Sequence, residues 1–342
     1  MQKYADIYHY QSQSPKSWDM GLSVGIVGLP NVGKSTLFNA LLKKQQAYVA
    51  NFPFATIEPN VGVVPVPDVR LTKLAEIYHS PIVPATVEFV DIAGLIAGAH
   101  KGEGLGNKFL SHIRETSAIC YVLRAFTDPD VIKQGVKDPK SDFEVLKLEL
   151  DLADAEMVEA HQKKKNADVE ALSLFSKKPF LVVLNVDESD LKNTIQLEEK
   201  YSGELGINRG QVVIISAKTE SELSELSEGD QKTYLKDLGV ENSGLERLIQ
   251  KAFATLRLIT FLTAGEKEVR AWTIKEGTNA QSAAGEIHTD FIKKFIKADV
   301  ADFDDFVSLG GWKVARDVGK VRSEGRDYVV KDGDVIEFKI GV

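Results

Sequence analysis

The chain has 342 residues, of which 43% are hydrophobic and 27% charged, a composition typical of a soluble globular protein with two or three domains. Its net charge of −8 argues against nonspecific binding to nucleic acid over the whole surface, so any RNA partner must be recognised locally. The single cysteine, Cys120, cannot form an internal disulfide, and no run of about 18 apolar residues predicts a membrane helix. We expect a cytoplasmic monomer with no DNA or membrane partner.

Residues 1–20 are polar and show no periodicity. They predict a flexible lead-in, or residues added ahead of a natural start at Met20. The folded part of the chain is therefore expected to begin near residue 21.

The first motif that carries chemistry is the nonapeptide Gly-Leu-Pro-Asn-Val-Gly-Lys-Ser-Thr at positions 28–36. The run before it, 22–27, predicts a buried strand and 35–44 predicts a helix, which is the context of a phosphate-binding P-loop. Lys34 is predicted to contact the β- and γ-phosphates and the Ser35 hydroxyl to bind Mg²⁺. The predicted nucleotide-binding residues of this loop are Asn31, Val32, Gly33, Lys34, Ser35 and Thr36.

Asn31 has two open interpretations. It can hold a monovalent cation, K⁺, which would supply positive charge during hydrolysis, or it can simply stabilise the loop. The sequence does not separate the two.

Two further segments carry predicted phosphate and metal sensors. Thr56 lies in a proline-containing loop after the P-loop helix, where nucleotide hydrolases carry a Mg²⁺ ligand, although a threonine entering a strand is the alternative. The strand 87–90 leads into Asp91-Ile-Ala-Gly94, a D-x-x-G motif whose carboxylate faces Mg²⁺. The predicted catalytic residues are Lys34, Asp91 and Gly94, and the predicted metal ligands are Ser35, Thr56 and Asp91.

Leu95 replaces the water-orienting glutamine of Ras-type GTPases, which predicts slow or assisted hydrolysis.

A third segment is predicted to read the base. The apolar run 178–184 ends in Asn185-Val-Asp-Glu188, where GTPases carry N-K-x-D. Val186 replaces the lysine, and Glu188 extends its carboxylate roughly 1.5 Å beyond that of an aspartate, so the usual guanine contact should fail. Asn185 can still bond the N7/N6 edge of adenine. Ser216, Ala217 and Lys218 form the predicted S-A-K loop of the base pocket.

Together these motifs resemble the YchF/Obg-like ATPase family, a branch of the TRAFAC-class P-loop NTPases that prefers ATP. The resemblance covers about residues 21–342, and it includes N-F-P-F-A-T-I-E-P-N, K-G-E-G-L-G-N and the C-terminal E-V-R-A-W-T-I. It implies Mg²⁺-dependent ATP hydrolysis and binding to ribosomes, ribosomal RNA or translation factors.

The resemblance also implies an α/β fold with a mostly parallel sheet. The P-loop G domain is expected over 21–140 and 178–261, and a C-terminal β-grasp (TGS) domain over 262–342. A helical hairpin is expected over 141–177, much shorter than the coiled coil usual in the family. Lys133 stands near the position where relatives commonly carry a histidine, which puts the hydrolysis rate in question.

Two local patterns in the C-terminal part are also informative. The Asp332-Gly333 pair predicts a hairpin over 328–340. Basic residues between 293 and 322 alternate with aspartates, which favours a solvated mixed-charge surface over an RNA-binding patch.

The function favoured by the sequence is a slow Mg²⁺-dependent ATPase that acts as a nucleotide switch on a translation partner. Two alternatives remain open: a GTPase, and an RNA- or protein-binding module that nucleotide stabilises with negligible hydrolysis.

Overall fold

The structure is a computed structural model that describes residues 22–51, 60–92, 105–127, 138–163 and 172–341. The chain divides into two compact units. The first comprises Met1–Val64 and Glu88–Leu245, and the second comprises Pro65–Val87 and Glu246–Val342. The predicted lead-in at 1–20 lies outside the described residues.

The first unit is built on a sheet whose described strands have the order β2-β4-β1-β5-β6-β7. Strand β1 pairs in parallel with β4 and β5, and β5, β6 and β7 continue the parallel ladder. Parallel neighbours bring their carboxyl ends to one edge of the sheet. The strands are β1 (Ser23–Gly28), β2 (Val61–Pro65), β4 (Thr86–Asp91), β5 (Ala118–Arg124), β6 (Phe180–Asn185) and β7 (Val212–Ile215).

Strands β1 and β7 of this sheet are buried along their whole length, which indicates that both faces of the sheet are covered. All six residues of β1 and all four of β7 are buried, as expected for parallel strands covered on both sides. The helices of this unit are α1 (Lys34–Asn51), α3 (Leu105–Glu115), α4 (Pro139–Gln162), α5 (Thr194–Leu205), α6 (Ala217–Leu223) and α7 (Glu228–Asp237). Helix α8 (Gly244–Thr255) begins in its last two residues and belongs mostly to the second unit.

The second unit contains a mixed sheet whose described strands have the order β11-β10-β12-β8-β9-β3. At its centre β8 and β12 are parallel, with Leu262 opposite Val335, and each has an antiparallel neighbour on its other side. Helix α9 packs on β9 and β10, and the β-grasp (TGS) assignment of this region stays a prediction. The strands are β3 (Ile82–Val83), β8 (Leu258–Ala264), β9 (Val269–Lys275), β10 (Phe295–Ala301), β11 (Val321–Glu324) and β12 (Val335–Ile340). The helices are α2 (Val69–Tyr78), α9 (Ala280–Ile287), α10 (Thr289–Lys294), α11 (Phe303–Ser308) and α12 (Trp312–Asp317).

Segment 65–87 belongs to the second unit although it lies early in the chain. Asp68 caps α2, and Arg70 forms ion pairs with Asp68 and Asp332 and donates to the Thr260 hydroxyl at 2.8 Å. Burial lowers the pKa of Arg70, but the two carboxylates outweigh burial, so the pKa is raised. The segment also contains β3, which pairs with β9. The compact units thus differ from the predicted domains at 65–87 and 246–261, and the predicted domain scheme stays a prediction.

Helix α4 packs its apolar face on the sheet of the first unit. Helix α4 begins at Pro139, with Asp138 as its N-cap, and its apolar residues Phe143, Leu146, Leu150 and Ala153 belong to the core of the first unit. Phe143, for example, contacts the Tyr121 ring edge-on at 5.3 Å. The described residues that follow the gap after residue 163 include a 3-10 turn over Phe175–Lys177. The apolar residues of α4 pack on the sheet, and the helical hairpin predicted over 141–177 stays a prediction.

The hairpin predicted over 328–340 is wrong. β12 has β10 on one side and β8 on the other, so neither edge is available to the residues that precede the Asp332-Gly333 turn. Val329 instead forms an isolated bridge with Asn279. The turn itself is present, with Gly333 at φ 85° and the Asp332 carboxylate accepting from the Thr260 N–H at 2.9 Å.

The mixed-charge surface predicted for the C-terminal part is confirmed by its ion pairs. Lys297 pairs with Asp299, Lys320 with Asp305, and Arg316 with Glu337. These cations already face protein carboxylates.

No helix among the described residues is long and apolar enough to cross a membrane.

Two adjacent glycines before α12 provide a test of packing in the second unit. Gly310 and Gly311 have φ of 71° and 110°. A Cβ on Gly311 would lie 2.7 Å from the Tyr78 hydroxyl oxygen, whereas a Cβ on Gly310 would have no atom within 4 Å. We expect Gly311→Ala to lower the free energy of unfolding by about 2–4 kcal/mol, and Gly310→Ala by about 1 kcal/mol from backbone strain alone. Denaturant titration checks both values, and equal losses would contradict the close approach to Tyr78.

Candidate nucleotide-binding site

The P-loop has the predicted context. β1 ends at Gly28, the loop runs through Asn31 and Gly33 with φ of 63° and 91°, and α1 begins at Lys34. A Cβ on Gly28 would lie 2.8 Å from the Val122 carbonyl oxygen of the neighbouring strand. The tight turn delivers the N-terminus of a helix of 18 residues, with its unpaired N–H groups and positive dipole end, to the edge where the parallel strands finish.

The loop side chains differ in exposure. Val32 and Lys34 are buried, whereas Asn31, Ser35 and Thr36 are exposed. The Ser35 hydroxyl is therefore accessible to a metal ion. Nothing in the described residues distinguishes the cation-binding interpretation of Asn31 from the purely structural one.

Lys34 and Asp91 form an ion pair between the P-loop and the end of β4. The Asp91 N–H donates to the Asn60 carbonyl at 2.9 Å, which fixes the strand end next to the residue that precedes β2. The predicted phosphate-binding cation and the predicted Mg²⁺-facing carboxylate thus lie together. Thr56 and Gly94 lie outside the described residues.

The residues present fit a magnesium ion. Mg²⁺ prefers oxygen ligands and is commonly held by one or two protein oxygens together with phosphates and water, so it needs no cage of protein carboxylates. Ser35 and Asp91 supply such oxygens. No cluster of three or more His, Cys, Asp or Glu that could hold a metal occurs in the described ranges.

Asn185 joins the P-loop to the S-A-K loop. It lies at the end of β6 and is buried, its Nδ2 donates to the Val32 carbonyl at 2.9 Å, and its Oδ1 accepts from the Ala217 N–H at 2.9 Å. One hydrogen and one lone pair of the amide are thereby used inside the protein. The predicted bond from Asn185 to adenine stays a prediction, whereas its role as a link between loops is a finding that the sequence reading missed.

The same asparagine explains the glycine at position 33. A Cβ built on Gly33 would overlap the Asn185 Nδ2 atom. Only glycine both tolerates the positive φ and leaves room for the amide.

The S-A-K loop starts helix α6. The Ser216 hydroxyl is buried and caps the helix, accepting from the Thr219 N–H at 3.4 Å. Ala217 is buried and presents its N–H to Asn185, while Lys218 is exposed. Ser216 thus has a capping role that fixes the loop, and Ala217 supplies a backbone contact.

The other three residues of Asn185-Val-Asp-Glu188 differ in burial and in hydrogen-bond partners. Val186 is buried and its N–H donates to the Ile215 carbonyl at 2.8 Å. The Asp187 carboxylate accepts from Thr127, and the exposed Glu188 begins a 3-10 turn over Glu188–Asn193. The contribution of Thr127 has no sequence signal, because it follows β5 and meets Asp187 only in the fold.

Comparison with known proteins gives concordant matches. The family model described as "50S ribosome-binding GTPase" matches residues 23–186. The model YchF-GTPase_C, described as "Protein of unknown function (DUF933)", matches residues 258–341. The chain is 44% identical to the ribosome-binding ATPase YchF of Bacillus subtilis, an alignment that covers 94% of this chain and 100% of the relative. The chain belongs to the YchF family.

Two further YchF proteins are similar to this chain over most of its length. The ribosome-binding ATPase YchF of Haemophilus influenzae is 45% identical, again over 94% of this chain and 100% of the relative. The solved structure of the Schizosaccharomyces pombe YchF GTPase superposes with a TM-score of 0.81 at 34% identity, covering 93% of this chain and 98% of that one. The G-domain fold predicted from the motifs is therefore that of YchF.

The lengths of these alignments are informative. The alignment with the Bacillus protein runs over 371 positions, more than the 342 residues of this chain. That YchF relative therefore has residues without a counterpart here, which accords with the expectation of a shortened insertion. Where the missing residues belong stays a prediction.

The link made by Asn185 gives a testable consequence. Asn185→Asp keeps the acceptor for Ala217 but replaces the Nδ2 donor with an oxygen facing the Val32 carbonyl. A buried charge next to an unpaired carbonyl is costly, so we expect the free energy of unfolding to fall by about 2–4 kcal/mol and nucleotide affinity to fall with it. Denaturant unfolding and nucleotide titration check this. Unchanged stability and affinity would contradict the role of Asn185 as a link between the loops.

Proposed function

We propose that this YchF protein is a slow, Mg²⁺-dependent ATPase that acts as a nucleotide switch on the ribosome or a translation factor. The observation that carries the proposal is the ion pair between Lys34 of the P-loop and Asp91 at the end of β4. It brings together the two side chains that Mg²⁺·triphosphate chemistry requires. The names of the relatives, ribosome-binding ATPases, support the same activity.

In the proposed reaction the loop positions the triphosphate and offsets its charge. Lys34 would turn from Asp91 to the β- and γ-phosphates, and the helix N-terminus would supply further backbone donors. Ser35 and Asp91 would hold Mg²⁺, with Thr56 and Gly94 completing the predicted set. Bound Mg²⁺ would neutralise charge on the phosphate oxygens. The proposed slow rate rests on Leu95, which offers no polar group to the attacking water.

The preference for ATP over GTP is proposed from the base-reading segment. Val186 is too short to cover the base with an aliphatic stem as the lysine of N-K-x-D does, and its side chain is buried. Glu188 stands where GTPases have an aspartate. Lys218 is exposed at the start of α6 and would line the base pocket with Ser216 and Ala217.

A ribosomal partner is proposed from the relatives' names and from the family model of a ribosome-binding GTPase. A protein that acts on ribosomes would work in the cytoplasm. In this proposal a TGS domain over 262–342 follows the G domain. Binding of K⁺ at Asn31 stays a prediction.

The second candidate function is a GTPase. It is favoured by the family model described as "50S ribosome-binding GTPase" and by the solved S. pombe protein, which is named a GTPase. Nucleotide titration separates the two candidates.

Lys34→Ala tests the phosphate site. The substitution removes the side-chain cation that contacts Asp91 and leaves the phosphate charge to backbone dipoles, so we expect at least about a 100-fold loss of ATP affinity. Lys43→Ala on the solvent side of α1 is a matched control, because Lys43 pairs only with the exposed Glu225 among the described residues. Unchanged ATP binding by Lys34→Ala would contradict the assignment of this loop as the phosphate-binding site.

A double substitution tests base selection. Val186→Lys with Glu188→Asp restores N-K-x-D, and the shorter carboxylate would accept from both guanine donors. A charged hydrogen bond is worth about 1.5–3 kcal/mol, so the ratio of GTP to ATP affinity should rise roughly 10- to 150-fold. Isothermal titration of both nucleotides against both proteins decides it. A double variant with the wild-type ratio would show that other groups select the base.

A further inference from the structure

The two strands that flank segment 65–87 form one ribbon, and one end of this ribbon is at the nucleotide site. There the Asp91 N–H donates to the Asn60 carbonyl at 2.9 Å, and at the other end the Val66 N–H donates to the Ala85 carbonyl at 2.8 Å. Between these two bonds β2 and β4 are neighbours in the sheet. Such a ribbon is about 20 Å long, and it moves as one body because separating its strands would leave backbone groups unpaired.

The part of the chain between the strands is held within the second unit, to which segment 65–87 belongs. Arg70 pairs with Asp332 and donates to the Thr260 hydroxyl at 2.8 Å. The buried Ser80 donates its hydroxyl to the Gly265 carbonyl at 2.7 Å. Strand β3 adds backbone pairing with β9. A shift of the segment would therefore move β8 and β9 with it, or break these contacts.

Packing around the segment is tight. A Cβ on Gly333 would lie 2.8 Å from the Arg70 Nη1 atom, and a Cβ on Gly311 would lie 2.7 Å from the Tyr78 hydroxyl oxygen. The Tyr78 hydroxyl also accepts from the Trp312 N–H at 3.3 Å. Densely packed contacts of this kind transmit a displacement rather than absorb it.

The other end of the ribbon takes part in the proposed reaction, on which this inference rests. Asp91 is the last residue of β4 and is paired with Lys34. On nucleotide binding Lys34 would leave Asp91 for the phosphates, so Asp91 would exchange its lysine partner for Mg²⁺. Because the Asp91 N–H is bonded to Asn60, a backbone adjustment at this residue would be shared by both strands of the ribbon.

We propose that segment 65–87 couples the nucleotide site to the second unit, so that nucleotide bound at Lys34 and Asp91 changes the local stability of β8 and β9 through the β2–β4 ribbon. The proposal adds to the nucleotide switch the part of the chain that responds to it. Coupling of this kind is reciprocal, so a ligand that favours one form of the second unit would change nucleotide affinity.

Hydrogen exchange of the full chain, read by mass spectrometry with Mg²⁺ and ATPγS, tests the coupling. Amides of α1 report occupancy of the nucleotide site, and amides of β8 and β9 report the response. We expect ATPγS to slow exchange in α1 and to change exchange in β8 and β9 at least about 3-fold, with a smaller change in β10 and β11 at the other side of the sheet.

A double variant and a matched control test the route. In Arg70→Met/Ser80→Ala we expect ATPγS still to protect α1, whereas the nucleotide-dependent change in β8 and β9 disappears. A merely structural role would alter exchange in β8 and β9 equally with and without nucleotide. Arg322→Met is the control, because the ion pairs of Arg322 in the described part of the chain are with Glu324 and Asp334. It should keep the wild-type response.

The other outcomes contradict the proposal in separable ways. Protection of α1 with no change in β8 and β9, or with equal changes throughout the sheet, overturns this inference and leaves the proposed function intact. A response that survives the double variant also overturns it, because coupling would then run through another connection, such as α8. Absence of protection in α1 overturns the proposed function and this inference together. Thermal unfolding checks that each variant is folded, and Ser80→Ala alone, which should weaken the response, decides if the double variant is not.

Discussion

The nucleotide site depends on one buried amide. Asn185 ends β6, and its side chain bonds the carbonyl of Val32 in the P-loop and the N–H of Ala217 in the S-A-K loop. These loops follow strands β1 and β7, which are not neighbours in the sheet, so backbone pairing alone cannot fix their relative position. A buried amide satisfied at both ends holds that geometry, because breaking either bond leaves a buried polar group unpaired. Gly33 is required by the same contact.

The second unit depends on a similar non-local link. Arg70, at the start of α2, joins Asp68 to Asp332, and the Asp332 carboxylate accepts from the Thr260 N–H. Segment 65–87 follows β2 and precedes β4, so it is inserted in the sequence between two strands of the G-domain sheet while it packs on the C-terminal strands. A fragment starting at residue 262 would therefore lack β3 and the Tyr78 side chain that receives the Trp312 N–H at 3.3 Å.

Local patterns in the sequence predicted the elements that local chemistry determines. The P-loop, the apolar parallel strands and the S-A-K loop follow from glycines, apolar runs and motif spacing, and the structure has them where expected. Spacing reveals the apolar face of α4 but not what covers it, and in the structure that face belongs to the core of the first unit. The prediction of a hairpin near Gly333 was wrong for a similar reason, because β12 pairs with β10 on one edge and with β8 on the other. Thr127 was missed because it meets Asp187 only through tertiary structure.

We propose that the site around Lys34 and Asp91 hydrolyses ATP with Mg²⁺. Single-turnover hydrolysis of γ-labelled ATP and GTP by the full chain, with Mg²⁺ or with EDTA and with or without ribosomes, tests it most directly. The account predicts slow release of phosphate from ATP that requires Mg²⁺, with slower release from GTP under identical conditions. Release of phosphate from GTP faster than from ATP, or no Mg²⁺-dependent release from either nucleotide even with ribosomes present, would contradict it.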